Sequence, residues 1–254
     1  MGIHTFFIVP YRDRKSDLAT FRAYFDHLCA AKPLWAQGAK LLIVEQSDDR
    51  PFNRGALKNI GAMHVKGQGE RNPTLVFHDV DTIPRYPLSI DYGADPGEVN
   101  HIYGNNDALG GIFSVKLHDF LNSGGFPNLW GWGYEDNVMT ARMRKTGVSI
   151  DRSRKIRLTD YSRISRLDLV SQPPTRDVCL RSLRSVRLGT CDGIAHLSDI
   201  RTTVDQCFLK VHHFQTKFAS PQRLVTISSN VLRGNVLNTL FPKAKPLQMR
   251  FHQT

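Results

Sequence analysis

No run of 18 or more apolar residues occurs in this 254-residue chain, so no stretch reads as a membrane-spanning helix. The opening residues, Met1 to Pro10, have neither the charged region nor the cleavage site of a signal peptide, and Phe6 stands where a myristoylation motif needs Ser or Thr. Cysteine is scarce: Cys29, Cys179, Cys191 and Cys207 show no C-x-x-C spacing, which removes the usual zinc and redox frameworks. Acidic residues are outnumbered, 23 against 34 Lys and Arg, for a formal charge of +11. No interleaved aromatic and basic RNA-binding pattern accompanies that excess, so nucleic acid is not the expected partner. An anionic membrane surface or a phosphate-bearing substrate accounts for the charge instead. The expectation is a reduced protein, cytoplasmic or peripheral to a membrane.

With 41% apolar residues, the chain has ample material for one principal core. Phe6 to Val9 predicts a first strand, ending in the polar turn Pro10-Tyr11-Arg12-Asp13-Arg14. Ser16 is the expected N-cap of a helix whose Leu18, Phe21, Phe25 and Leu28 follow a 3.6-residue period, with Cys29 on its apolar face. Leu41 to Val44 is a continuous apolar run, as for a strand covered on both faces. A helix from about Asn53 to Val65 follows, then a third buried strand, Leu75 to Phe77. This alternation predicts an α/β fold with a mostly parallel central sheet flanked by helices.

In such sheets ligands gather at the carboxyl ends of the strands. The Arg12/Arg14 turn and the turn His78-Asp79-Val80-Asp81 both fall there. Asp79 and Asp81, two apart in extended backbone, are placed to face one cleft, where one carboxylate binds a hard cation and the other a water or ribose hydroxyl. A solvated turn with Asp as turn former is the plainer alternative. Further on, the segment from Gly124 through Phe126, Trp130, Trp132 and Gly133 to Glu135 and Asp136 combines glycines, indoles and adjacent carboxylates. Backbone freedom, flat apolar walls and acceptors for hydroxyls make a sugar site. Trp130 is expected to be packed and Trp132 to line the site. Glu135 and Asp136 also suit the first turn of a helix through about Lys145, where acids complement its dipole. His78 is expected to be structural or to support the site residues from behind.

Val9-Pro10-Tyr11-Arg12-Asp13-Arg14, Phe52-Asn53-Arg54-Gly55-Ala56-Leu57-Lys58-Asn59-Ile60-Gly61, Phe77 to Pro84, Gly110-Gly111-Ile112 and Gly125 to Asp136 recur in the order and spacing of the beta-1,4-galactosyltransferase family, glycosyltransferase family 7. From about residue 5 to 168 the chain resembles a divergent soluble member. The resemblance implies a GT-A-like, Rossmann-like fold with a divergent C-terminal extension: residues 1–168 as the catalytic core for nucleotide sugar and acceptor, and 169–254 as a basic part packed on it. It implies a UDP-sugar donor, manganese, and transfer with inversion to a glycan, glycoprotein or glycolipid acceptor. By position, Pro10, Tyr11, Arg12, Arg14, Phe52, Arg54 and Gly111 would hold the donor. Asp79, Val80 and Asp81 would meet ribose and metal, Asp81 being the direct metal ligand. Trp132 would close over the donor and, with Gly133, Glu135 and Asp136, contact the acceptor, Asp136 serving as general base.

The chain departs from that pattern at several points. Asn137-Val138 stands where the family continues with acids, and Ala108 where galactose-using relatives carry a tyrosine. The family's later metal ligands fall near Ser162 and Ser165, whose hydroxyls are weak neutral ligands. His196, His212 and His213 are alternative ligands, and ordinary structural roles are the more economical reading of each. The segment from Arg152 to Arg187 is dense in arginine, either a lid supplementing the metal or a solvated basic surface. Residues 221–254, basic with interspersed leucines, leave two readings open: a membrane-touching or glycolipid-touching appendage, or a packed helix and a loose tail.

Overall fold

Alternation along β1 (Thr5–Tyr11) divides the core. Phe6 and Ile8 join Leu42, Val44, Leu57, Ile60, Leu75 and Phe77 on one face of a sheet, while Phe7, Val9 and Tyr11 join Phe21, Phe25, Leu28, Ile43 and Val76 on the other. A strand covered on both faces must be apolar at every position, and all seven residues of β1 are buried. Covering each phenylalanine ring contributes about 1.5–3 kcal/mol.

The computed structural model describes residues 5–131, 135–167 and 192–220, together with two short strands at 175–176 and 225–226. After β1 come α1 (Lys15–Ala31), α2 (Pro33–Ala36), β2 (Ala39–Gln46), α3 (Arg54–Gly67), β3 (Thr74–His78), β4 (Thr82–Pro84), β5 (Glu98–Tyr103), β6 (Ile112–Lys116) and α4 (Leu117–Asn122). α5 (Glu135–Lys145), β7 (Ser149–Asp151), β8 (Ile164–Arg166), β9 (Thr175–Arg176), β10 (Ser198–Asp205), β11 (Phe208–Gln215) and β12 (Val225–Thr226) complete the order. Among the described residues no helix is long and apolar enough to cross a membrane.

The main sheet runs β10-β11-β2-β1-β3-β6-β5-β7. β1 pairs in parallel with β2 and β3, as the β-α-β-α-β alternation predicts. β6 enters antiparallel between β3 and β5, and β11 adds in parallel to the outer edge of β2. Residues 208–215 are thus built into the same sheet as residues 5–11. β4 pairs with β8 in a separate antiparallel ribbon, and β9 with β12 in another.

One local expectation is corrected. Helix α1 starts at Lys15, ahead of Ser16, and Arg14 occupies the N-cap position without a side-chain cap. The Ser16 carbonyl instead accepts from Thr20 Oγ1. Asp17 in the first turn pairs with Arg14 at 2.8 Å, which supplies the negative charge that a helix start favours. Asn53, by contrast, is a true cap: its Oδ1 accepts from the Ala56 N–H at 3.0 Å and starts α3.

Candidate functional site

β1 and β3 deliver their carboxyl ends side by side, so the turns that follow them meet. After β1, Asp13 takes a left-handed backbone conformation (φ 51°) that turns Arg14 back toward β3. Arg14 Nη1 donates to Asp81 Oδ2. Tyr11, Pro10 and Val80 are buried beneath the two turns. Arg12 donates to the Arg50 carbonyl and lies 3.5 Å from Asp13. The acidic turn is hung on backbone: Asp79 N–H donates to the Gly111 carbonyl at 3.1 Å, and Leu167 N–H to the Asp81 carbonyl at 2.8 Å.

Facing it is the start of α5. Gly131 N–H donates to the Phe52 carbonyl at 2.8 Å, tying the glycine-tryptophan segment to the entry of α3. Asn59 and Asn128 then sew that segment down. Asn59 Nδ2 donates to the Phe126 carbonyl and to Asn128 Oδ1, while its Oδ1 accepts the Phe126 N–H. Asn128 in turn donates through N–H and Nδ2 to Asp192 at 3.0 and 3.1 Å. Arg142 of α5 donates to the Asp192 carbonyl at 2.6 Å and to that of Gly125. Trp130 is buried as expected, stacked on Phe214 at 5.3 Å with the Arg50 guanidinium 4.9 Å from its ring. Two glycines make room. A Cβ on Gly55 would lie 2.1 Å from the Pro127 carbonyl oxygen, and one on Gly110 would lie 2.4 Å from Asp136 Oδ2.

Between the two walls stand ions of both signs. Arg54 Nη1 lies 4.0 Å from Asp79 and 3.7 Å from Glu135, and Lys58 Nζ lies 3.9 Å from Asp79 and 3.7 Å from Asp136. Burial works against the charged form of every group here. It pushes Asp136 up to about 7, with Glu135 and Asp79 adding to the effect and Lys58 and Arg54 opposing it. Burial, then Asp79, also raises Asp81, against the pull of Arg14. For Asp79 burial is outweighed by Arg54, Lys58, His78 and the Gly111 N–H···O contact, and its carboxyl falls below the usual range. His78, wholly buried among Phe7, Phe21, Tyr24 and Tyr92, is driven down to about 4 by burial and is neutral, which fits a structural role.

The structure therefore brings together Tyr11, Arg14, Arg54, Asp79, Val80, Asp81, Gly111, Glu135 and Asp136, with Phe52 and Arg12 at the margin. Trp132 and Gly133 lie outside the described residues. Among described residues no group of three or more His, Cys, Asp or Glu is placed to hold a metal. His213 pairs with Asp199 and His212 with Thr203 on the β10–β11 hairpin, and His196 is exposed. Ser162 Oγ donates to Asp160, and Ser165 lies in β8 opposite Ile83. Arg181, Arg184 and Arg187 and nearly all of 221–254 lie outside the described residues. Sequence reasoning missed Lys58, Asn128 and Asp192. An ammonium four residues after Arg54 on a helix otherwise apolar at that face was the available signal for the first.

Residues 3–90 match the N-terminal region of glycosyl transferase group 7, and residues 98–167 match the N-terminal domain of galactosyltransferase. Beta-1,4-galactosyltransferase 5 of Sus scrofa is 29% identical over 155 residues, 57% of this chain and 39% of the relative. Beta-1,4-galactosyltransferase 3 of Homo sapiens is 30% identical over 159 residues, 58% of this chain and again 39% of the relative. The chain thus spans well under half the length of these relatives. Among solved structures, the catalytic domain of Drosophila beta-1,4-galactosyltransferase 7 in complex with xylobiose superposes with a TM-score of 0.62 at 21% identity, covering 85% of this chain and 96% of that one. A mutant of the Drosophila protein in complex with manganese, UDP-Gal and xylobiose gives 0.64 at 19% identity, with the same coverage. These likenesses carry the expected GT-A architecture.

Proposed function

Because the chain belongs to the group 7 glycosyltransferase family, we propose that it is an inverting glycosyltransferase, moving a hexose or pentose from a UDP-sugar to a hydroxyl of a glycan acceptor. The observation that carries this reading is the pairing of two opposed walls. Asp136, with its carboxyl raised to about 7, faces a buried Asp79–Asp81 turn across a bridge of Arg54 and Lys58. Inversion needs a base on the side opposite the leaving diphosphate, and a base works best when its pKa lies near the working pH. The acceptor oxygen attacks the anomeric carbon, its proton passes to Asp136, and the bond to the phosphate oxygen breaks with its electron pair leaving on UDP.

Arg14 and Arg54 already pair with the cleft's own carboxylates. An incoming diphosphate therefore brings negative charge that these arginines compensate only by leaving Asp81, Asp79 or Glu135. That shortfall fits a divalent cation. Asp81, a buried carboxylate, would hold such a cation. The cation would supply neutralisation of the leaving group. Manganese, UDP-Gal and xylobiose in the Drosophila neighbour support these classes of cofactor, donor and acceptor. Ala108, standing just ahead of Leu109-Gly110-Gly111 in place of a bulky tyrosine, favours a donor sugar bulkier than galactose.

Calorimetric titration of UDP with and without manganese, on the parent chain and on Asp81→Ala, tests the donor wall. Manganese-dependent binding that Asp81→Ala weakens by about 100-fold or more is the expected result. Absence of UDP binding in both conditions would overturn the donor assignment.

A further inference from the structure

Lys58 is 1% exposed and lies mid-way along α3, between Leu57 and the buried Asn59 and Ile60. An ammonium taken out of water is strongly disfavoured unless paired, so its surroundings must justify it. Among the described residues its ion-pair partners are Asp136 and Asp79, at 3.7 and 3.9 Å, and it sits 4.6 Å from the centre of the Phe126 ring. The oxygen it approaches on each carboxylate, Oδ1, is buried and has no hydrogen-bond partner. Arg54 and Lys58, one helical turn apart, make two successive rungs: Arg54 reaches Glu135 and Lys58 reaches Asp136, and both reach Asp79.

Resting on the transferase reading above, we propose that Lys58 is a positioning residue whose buried ammonium ion orients the Asp136 carboxylate toward the Asp79–Asp81 turn and keeps it ready to accept the acceptor's proton. Gly110 closes the other side of Asp136 with bare backbone, so Oδ2 is confined while Oδ1 is left to Lys58. The charged groups facing Asp136 are Glu135 on its own helix and Asp79 on the opposite turn, both opposing ionisation, and Lys58 and Arg54 on α3, both favouring it. Of the two cations, Lys58 alone has an ion pair to Asp136 among the described residues; Arg54 is shared between Asp79 and Glu135.

The test compares the parent chain with Lys58→Met and Lys58→Arg. Two readouts are taken: the pH profile of kcat/KM, and the carbon-13 titration of the Asp136 carboxyl, assigned by difference with Asp136→Asn. In Lys58→Met both midpoints are expected to rise by about 1–3 pH units. Turnover should fall at neutral pH and recover as the pH is raised, with KM for the donor little changed and Lys58→Arg close to the parent. An unchanged Asp136 titration in a folded Lys58→Met would overturn the proposal. Should Lys58→Met not fold, Lys58→Met/Asp136→Asn decides: recovery of the fold supports the pairing, and continued failure overturns it. A parent chain that transfers no sugar, with an Asp136 titration that still moves in Lys58→Met, would overturn the transferase reading while upholding the ion pair.

Discussion

On one wall of the cleft the Asp79–Asp81 turn hangs from main-chain hydrogen bonds, Asp79 N–H to Gly111 and Leu167 N–H to Asp81, while on the other wall main-chain bonds such as Gly131 N–H to Phe52 are joined by a network of side chains, Asn59, Asn128, Arg142 and Asp192. The first kind of support depends on backbone position and tolerates substitution. The second depends on particular side chains, one of them 64 residues from its partner in sequence. On the proposed reading, the Asp79–Asp81 side is the donor wall and the α5 side the acceptor wall, and the first should survive changes that disable the second.

The largest separation is expected from Asp136→Asn, which removes the proposed base and leaves shape intact. Transfer should fall about 10²–10⁴-fold in a coupled assay while UDP affinity by calorimetry stays within a few fold. Unchanged turnover would remove Asp136 from the chemistry. Asp192→Ala attacks the support instead: Asn128 loses acceptors for N–H and Nδ2 in a buried setting, at a cost of about 2–3 kcal/mol in urea unfolding. If UDP affinity collapses with it, the walls are not independent. In Gly110→Ala the new methyl meets Asp136 Oδ2, and turnover should drop about 10–100-fold through misplacement of the carboxylate, with UDP binding kept.

A last effect is on stability and is confined to one pH range. Folded Asp136 holds its proton up to about pH 7, whereas in the unfolded chain it releases it near the ordinary carboxylate value of about 4. The folded state therefore loses stability as pH rises from about 4 through 7. Asp136→Asn should remove that loss, stabilising the protein by about 4 kcal/mol above pH 7 and by nothing near pH 4, as thermal melts across that range would register.

How far the sequence could be read follows the same division. β1, β2 and β3 declare themselves as unbroken apolar runs, and because each ends in a polar turn the location of the cleft follows from the parallel order alone. The helix start at Glu135 and Asp136 was legible from its acids. The pairing of β11 with β2 was not, since which edge a strand joins is decided by distant contacts rather than by its own residues. Asn59, Asn128 and Asp192 look like ordinary helix and turn residues until they meet. Ser16 had the right chemistry for a cap but lost to Arg14, which is drawn toward Asp81 and Asp17. Lys58 left a signal in its spacing from Arg54 on an otherwise apolar face, but its carboxylate partners come from distant segments and appear only in the packing.

The parallel addition of β11 to β2 sets an order of events during synthesis. Until residues 208–215 leave the ribosome, the outer edge of β2 presents unpaired N–H and C=O groups, an adhesive template for other chains. Trp130 waits equally long for Phe214, as Asn128 waits for Asp192, because the stacking ring and the carboxylate travel on the same returning stretch. Completing the sheet and closing the acceptor wall are thus one late step. The nascent chain has its donor wall first, and the fluorescence of Trp130, isolated by comparison with Trp130→Phe, is a natural clock for the moment at which the second wall arrives.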